Sequence, residues 1–279
     1  MKQSSEEIKK TVREKYAAIA NQSKEENEQS CCGVGGSCAT VDYAVFAEDY
    51  SKLKGYESDA DLGLGCGIPT EFAGIKEGST VLDLGSGAGN DCFVAREIVG
   101  EKGKVIGLDM TEAMIDKARD NADKLGFNNV EFRKGEIEKM PIGGNRVDTI
   151  ISNCVLNLVP DKPKAFEEMF RVTKPGGNFC VSDVVLKGEM PEQLRQDAEM
   201  YVGCVSGAIN IDLYLSHIAD AGFRNIEVKK LREIDLPQEL LAKFMDENKA
   251  KEFIESENGI YSVTVYAEKP ACVPGSGCC

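Results

Sequence analysis

The stretch Val81-Leu82-Asp83-Leu84-Gly85-Ser86-Gly87-Ala88-Gly89 decides the fold. Thr80 to Leu84 is a short apolar run of the kind that forms a buried strand. The glycines behind it let backbone N–H groups approach a ligand closely, near the positive end of the next helix. Asp91 to Val99 supplies that helix.

Working outward, strand and helix alternate. Lys104 to Asp109, Val130 to Lys134, Asp148 to Cys154 and Asn178 to Val185 read as strands. Thr111 to Leu125, with Thr111 as N-cap, and Lys162 to Val172 read as helices, the latter closed by Lys174-Pro175-Gly176-Gly177. This alternation predicts a doubly wound, mostly parallel α/β sheet. Asn225 to Leu231 and Tyr261 to Lys269 extend it to seven strands, the last antiparallel, and Leu240 to Glu257 between them reads as helix. Helical periodicity also marks Ser4 to Asn21, Val41 to Leu53, Glu192 to Ser206 and Ile211 to Ala221. The expected organisation is an N-terminal helix and cysteine-rich segment (1–70), a core (71–188), a C-terminal part with cap helices and sheet-closing strands (189–270) and a cysteine-rich tail (271–279).

The chain has 279 residues, 33 Lys plus Arg against 47 Asp plus Glu, and a net charge of −14. A surface this acidic repels phosphate backbones and anionic headgroups, so neither nucleic acid nor membrane is an expected partner. The charged N-terminus and the short apolar runs point to a cytoplasmic protein, expected to act as a monomer. Eleven cysteines, an odd number, argue there for metal, metalloid or redox chemistry rather than a disulfide framework. The single histidine, His217, reads as an ordinary helix residue.

A Gly-x-Gly-x-Gly loop alone fits NAD, FAD or S-adenosylmethionine. Three features sharpen it. Asp83 precedes the first glycine by two residues, Asp109 ends the second strand where a carboxylate can accept ribose hydroxyls, and Gly135-Glu136-Ile137-Glu138 follows the third strand, facing an adenine edge. With Lys174-Pro175-Gly176-Gly177, the segment from Glu71 to Val185 resembles the class I S-adenosylmethionine-dependent methyltransferases, which have a Rossmann-like fold. The resemblance implies that Asp83, Gly85, Ser86 and Gly87 line the methionine end of the cofactor. Asp109 and Met110 would hold its ribose and adenine, Glu136 and Ile137 its adenine, and Asn153 would complete the set.

Thiols cluster where this fold holds substrate. Cys154 lies just past the fourth strand, Cys204 lies after the fifth, and Cys66 sits on the glycine-punctuated loop Leu62 to Pro69. Cys31, Cys32 and Cys38 belong to a thiol-rich arm. A thiolate is a strong nucleophile and a soft ligand. The motifs Leu64-Gly65-Cys66-Gly67, Ile151-Ser152-Asn153-Cys154-Val155-Leu156-Asn157-Leu158, Ser182-Asp183-Val184 and Gly203-Cys204-Val205-Ser206-Gly207-Ala208 resemble the arsenite methyltransferases over nearly the whole chain.

That resemblance implies As(III) ligation by Cys66, Cys154 and Cys204, with an N-terminal cysteine as redox partner. Cys32 is favoured over Cys31 and Cys38, and is paired with Cys66. It also implies arsenite and methylarsenite as substrates, arsenic detoxification as the role, and thioredoxin or glutathione as the reductant. Cys180 reads as a core residue and Cys92 as helix packing. Cys31, Cys32 and Cys38 are also compatible with a partial zinc site, and Cys272, Cys278 and Cys279 with either metalloid capture or a labile tail. Two rival readings stay open: a small-molecule C- or O-methyltransferase acting on quinone- or sterol-like substrates, and a thiol-based sequestration protein.

Overall fold

The computed structural model describes residues 4–22, 48–188, 207–234, 246–255 and 259–271. Cys31, Cys32, Cys38, Cys204, Cys272, Cys278 and Cys279 lie outside these residues, as does the expected helix Glu192 to Ser206.

The elements are α1 (Ser5–Ala20), β1 (Thr80–Leu84), α2 (Asn90–Val99), β2 (Lys104–Asp109), α3 (Glu112–Leu125), β3 (Val130–Lys134), β4 (Val147–Asn153), α4 (Lys162–Val172), β5 (Thr173–Lys187), α5 (Ile211–Asp220), β6 (Arg224–Glu233), α6 (Glu247–Glu255) and β7 (Gly259–Glu268). The strands form one seven-stranded sheet in the order β3-β2-β1-β4-β5-β7-β6. β1 pairs in parallel with β2 and β4, setting Asp83 beside Gly107 and Ile151, and β7 runs antiparallel to β5 and β6. The chain order reverses between β1 and β4, so the crevice at their carboxyl ends is the place where such a sheet receives a ligand.

Both faces are buried. Leu82, Leu84, Ile150, Phe166 and Phe179 fill one layer, while Val81, Phe93, Met114, Ile115 and Ile151 fill the other. Continuous apolar strands are therefore required, as in Thr149-Ile150-Ile151, where Ile150 serves one core and Ile151 the other. Cys180 is fully buried in the second layer.

Three expectations are corrected. Residues 48–53 are turn rather than helix, because the Asp49 carboxylate accepts the Ser51 N–H at 2.9 Å and Leu53 N–H donates to Tyr50 O at 2.9 Å. Residues 41–47 of that predicted helix lie outside the described residues. Lys174-Pro175-Gly176-Gly177 is the start of β5, not a closing loop: Gly176 N–H donates to Lys269 O and Lys269 N–H to Gly177 O, which extends the pairing next to β7. Thr111 occupies the N-cap position of α3, but its side chain makes no capping bond. The Asp109 carboxylate takes the Thr111 N–H instead, at 2.8 Å.

α1 begins with a capping box, in which Ser4 and Glu7 satisfy each other's backbone N–H. Its far end is tied to α3 by Lys117 Nζ, which donates to Ala20 O and Gln22 O. No helix among the described residues is long and apolar enough to cross a membrane.

Candidate active site

A cleft opens at the carboxyl ends of β1, β2 and β4, and the β1–α2 glycine loop forms one wall. Gly85, Gly87 and Gly89 all have positive φ, a region open to glycine and strained for other residues. At Gly85 (φ +68°) a Cβ atom would also lie 2.4 Å from Val155 Cγ2. Gly85→Ala is therefore expected to cost roughly 2 kcal/mol or more and to lower the midpoint of calorimetric unfolding.

Beneath and beside the loop lie three carboxylates, Asp83 buried and Asp91 and Asp109 half-buried. Asp83 accepts the Cys92 thiol at 3.2 Å, so Cys92 is more than helix packing. Asp109 accepts Gly87 N–H at 3.1 Å and Thr111 N–H at 2.8 Å, which joins the glycine loop to the start of α3. Asp91 accepts the Tyr50 hydroxyl at 2.9 Å, and Asn153 Nδ2 lies 3.3 Å from its other oxygen. Burial pushes all three carboxyls up, Asp91 to about 6, and at Asp83 the neighbouring charge of Asp91 adds to burial. Burial, reinforced by Asp91, holds Tyr50 well above its ordinary range, so its hydroxyl remains a donor.

Among the described residues, Lys9 is the one lysine or arginine lining the cleft, and it is neutralised by Glu136 at 2.8 Å and Glu138 at 3.1 Å. Arg13 adds a contact of 3.5 Å to Glu136. The cleft is thus acidic overall. Two of its polar atoms, Ser86 Oγ and Asn90 Oδ1, are buried without a hydrogen-bond partner. An acidic, part-apolar cleft with unmet polar atoms and an open glycine cradle suits a ligand that carries positive charge and hydroxyl or amino groups.

The cysteine end lies at the same strand tips. Cys154 follows β4 with φ +57°, in the left-handed region, and its N–H donates to Ser182 O at 2.8 Å. It lines the cleft, and its Cα is 5.8 Å from that of Cys66, with the two sulfurs joined as a disulfide. Cys66 is fully buried. Cys32, the expected redox partner of Cys66, lies outside the described residues; among these, Cys66 is bonded to Cys154.

The structure therefore brings together Asp83, Gly85, Ser86, Gly87, Asp109, Met110, Glu136, Ile137, Asn153 and Cys154 around one cleft, with Cys66 directly against Cys154. His217 lies within α5 and takes no part. Tyr50 and Asp91, together with the α1 face Lys9, Val12 and Tyr16, are site residues that sequence reasoning missed. The i, i+4 spacing of Val12 and Tyr16 marked an apolar helix face but not what that face covers.

The sheet order, the glycine loop at the switch point and the acidic residues at the β1 and β2 tips define a class I, S-adenosylmethionine-dependent methyltransferase. A methyltransferase-domain profile matches residues 75–258, and a protein-L-isoaspartate(D-aspartate) O-methyltransferase profile matches residues 5–140. The chain belongs to the arsenite methyltransferases: it is 40% identical over 95% of its length to the arsenite methyltransferase of Halobacterium salinarum, of which it spans 68%. It is 35% identical over 73% of its length to the mouse arsenite methyltransferase, of which it spans 54%. The crystal structure of an arsenic (III) S-adenosylmethionine methyltransferase from Chlamydomonas reinhardtii superposes with a TM-score of 0.63 at 36% identity, covering 76% of this chain and 68% of that one.

Proposed function

We propose that this chain methylates trivalent arsenic held by its own thiolates, as a step in arsenic detoxification. The observation that carries the reading is the pair Cys66 and Cys154, set against each other beside the cofactor loop, with Val155 packed against Gly85. The names of the relatives support the same substrate.

S-adenosylmethionine, when bound, supplies an electrophilic methyl group on a sulfonium. The residues present fit it: an acidic cleft suits a cation, and Ser86 Oγ and Asn90 Oδ1 await partners. Asp83, Gly85, Ser86 and Gly87 would face the methionine end, Asp109 and Met110 the ribose and adenine, and Asn153 the floor. The Glu136 carboxylate is occupied by Lys9 and Arg13, which leaves its backbone and Ile137 for the adenine.

Arsenite is a small neutral hydroxide, so the acidic surface does not repel it. Thiolates of Cys66, Cys154 and Cys204 would replace its hydroxides, leaving a pyramidal arsenic with one lone pair. The three thiolates would orient this lone pair toward the methyl group that the bound sulfonium would supply, the C–S electron pair staying with the thioether that leaves. No general base is required, because the nucleophile carries no proton. The protein contributes proximity and orientation. Arsenic is formally oxidised by two electrons. A pair of protein thiols returns them and becomes a disulfide, which a thiol reductant, thioredoxin or glutathione, reopens. Cys66 with Cys154, and Cys32 as a further member, are the proposed redox thiols. Methylarsenite would be both product and next substrate, and a single chain in the reducing cytoplasm would suffice.

Incubation of the reduced protein with labelled S-adenosylmethionine, arsenite and a thiol reductant tests this. Methylated arsenic is expected. Label transferred instead to a quinone or sterol-like acceptor would move the protein to the rival class, and tight arsenite binding without turnover would make it a sequestration protein.

The three carboxyls of the cleft set a pH dependence. Their folded values are raised, so between the unfolded value of about 4 and the folded value the native chain holds more protons than the unfolded chain. Without ligand, stability therefore falls as pH rises through that window, which for Asp91 ends at about 6. A bound cation favours the ionised carboxylates. The affinity for S-adenosylmethionine is accordingly expected to weaken as pH is lowered from 7.5 to 5.5, which calorimetric titration would check.

A further inference from the structure

The peptide around Cys66 is held from both sides by side chains of the sheet. Asn153 Oδ1 accepts Cys66 N–H at 2.9 Å, and Asn153 Nδ2 donates to Gly67 O at 2.7 Å and Tyr50 Oη at 2.8 Å. From β7, Ser262 Oγ donates to Cys66 O at 2.6 Å. Between these strands, on β5, Ser182 accepts Cys154 N–H on its backbone oxygen and shares a 2.9 Å hydrogen bond with Thr264. Asn153, Ser182 and Thr264 are register partners, a polar row running across β4, β5 and β7.

The Gly65-Cys66-Gly67 sequence fits this seat. A Cβ at 65 would lie 2.6 Å from Asn153 Nδ2, and one at 67 would lie 2.5 Å from Ser182 Oγ. Only a loop without side chains on either side of the cysteine can lie so close to the row, and Cys154 follows Asn153 directly in the chain. The same carboxamide that grips the Cys66 peptide therefore anchors the base of Cys154.

We propose that Asn153 and Ser262 are positioning residues that clamp the Cys66 peptide and hold its thiol preset against Cys154. Presetting raises the effective concentration of one thiol toward the other, which favours any two-thiol event, whether disulfide formation or chelation. The role serves the thiolate-held substrate proposed above, but its test requires no arsenic.

The full-length protein would be equilibrated in glutathione buffers, and the Cys66–Cys154 linked peptide quantified by mass spectrometry. In that exchange the two thiols lose two electrons and two protons to one glutathione disulfide, which leaves as two glutathione thiols. Asn153→Ala and Ser262→Ala are each expected to lower the equilibrium constant about tenfold, by loss of effective concentration. Ser262→Thr, which retains the hydroxyl, is expected to restore it. Affinity for S-adenosylmethionine in Ser262→Ala should stay within about twofold, since that residue does not line the cleft.

An unchanged constant in both alanine variants, with native circular dichroism, overturns the proposal. If Asn153→Ala does not fold, the Ser262→Ala and Ser262→Thr pair decides alone. A falling constant in an enzyme that fails to methylate arsenite leaves the clamp intact and removes only the arsenic reading. An arsenite-methylating enzyme whose constant does not move removes only the clamp.

Discussion

Cys154→Ser is expected to bind S-adenosylmethionine within about twofold of the parent and to lose arsenite-dependent methyl transfer by about a thousandfold. The hydroxyl that replaces the thiol is a hard donor and holds As(III) poorly, so the nucleophile is no longer fixed beside the loop. The substitution is nearly isosteric, and the strained backbone at φ +57° is tied by the residue's own N–H to Ser182 O, a bond that serine also makes. Rapid-quench kinetics with labelled cofactor, paired with equilibrium dialysis, separate the two effects. Normal turnover in this variant would show that the thiolate is not a ligand of the substrate.

Asp109→Ala is expected to weaken S-adenosylmethionine binding by about a hundredfold, with the sheet intact. The carboxylate carries two hydrogen bonds to backbone, Gly87 N–H and Thr111 N–H, and each charge-assisted bond contributes about 1.5–3 kcal/mol. Its loss frees the glycine loop from the start of α3 and removes negative charge from a cleft suited to a cation. Asp109→Asn retains one acceptor oxygen but turns an N–H donor toward one of the two backbone donors, so an intermediate loss of about tenfold is expected. Dialysis with labelled cofactor and thermal unfolding of each variant distinguish lost binding from lost folding.

The two variants bear on opposite ends of one cleft, and those ends differed in how far they could be read in advance. The cofactor end was legible. β1, β2, β3 and α4 begin and end where the residue pattern places them, because each is set by a local signal. β1 is an apolar run before glycines, while α4 begins after the Asp161 cap, whose side chain accepts Lys164 N–H. Spacing places the glycine loop, Asp83 and Asp109 at the strand tips, and the family resemblance implies their part in holding the cofactor.

The thiol end was legible only as residue types. The family resemblance implied Cys66 and Cys154 as ligands of one arsenic atom; that they meet directly, across 88 residues, was decided by the sheet. Tyr50, Asp91 and Ser262 gave no signal of a role. A tyrosine in a turn, an aspartate at the start of a helix and a serine in a strand each have commonplace explanations.

The residue order by itself determined the alternation of strands and helices, the glycine loop and the acidic residues beside it, because periodicity, capping and turn chemistry act within a few residues of chain. Tertiary structure alone decided that α1 covers the cleft through Lys9 and Glu136, 127 residues apart, and that Ser262 holds the Cys66 carbonyl from 196 residues away. Such contacts carry no local pattern. They arise when packing of the sheet buries polar backbone groups and leaves a side chain from a distant strand to satisfy them.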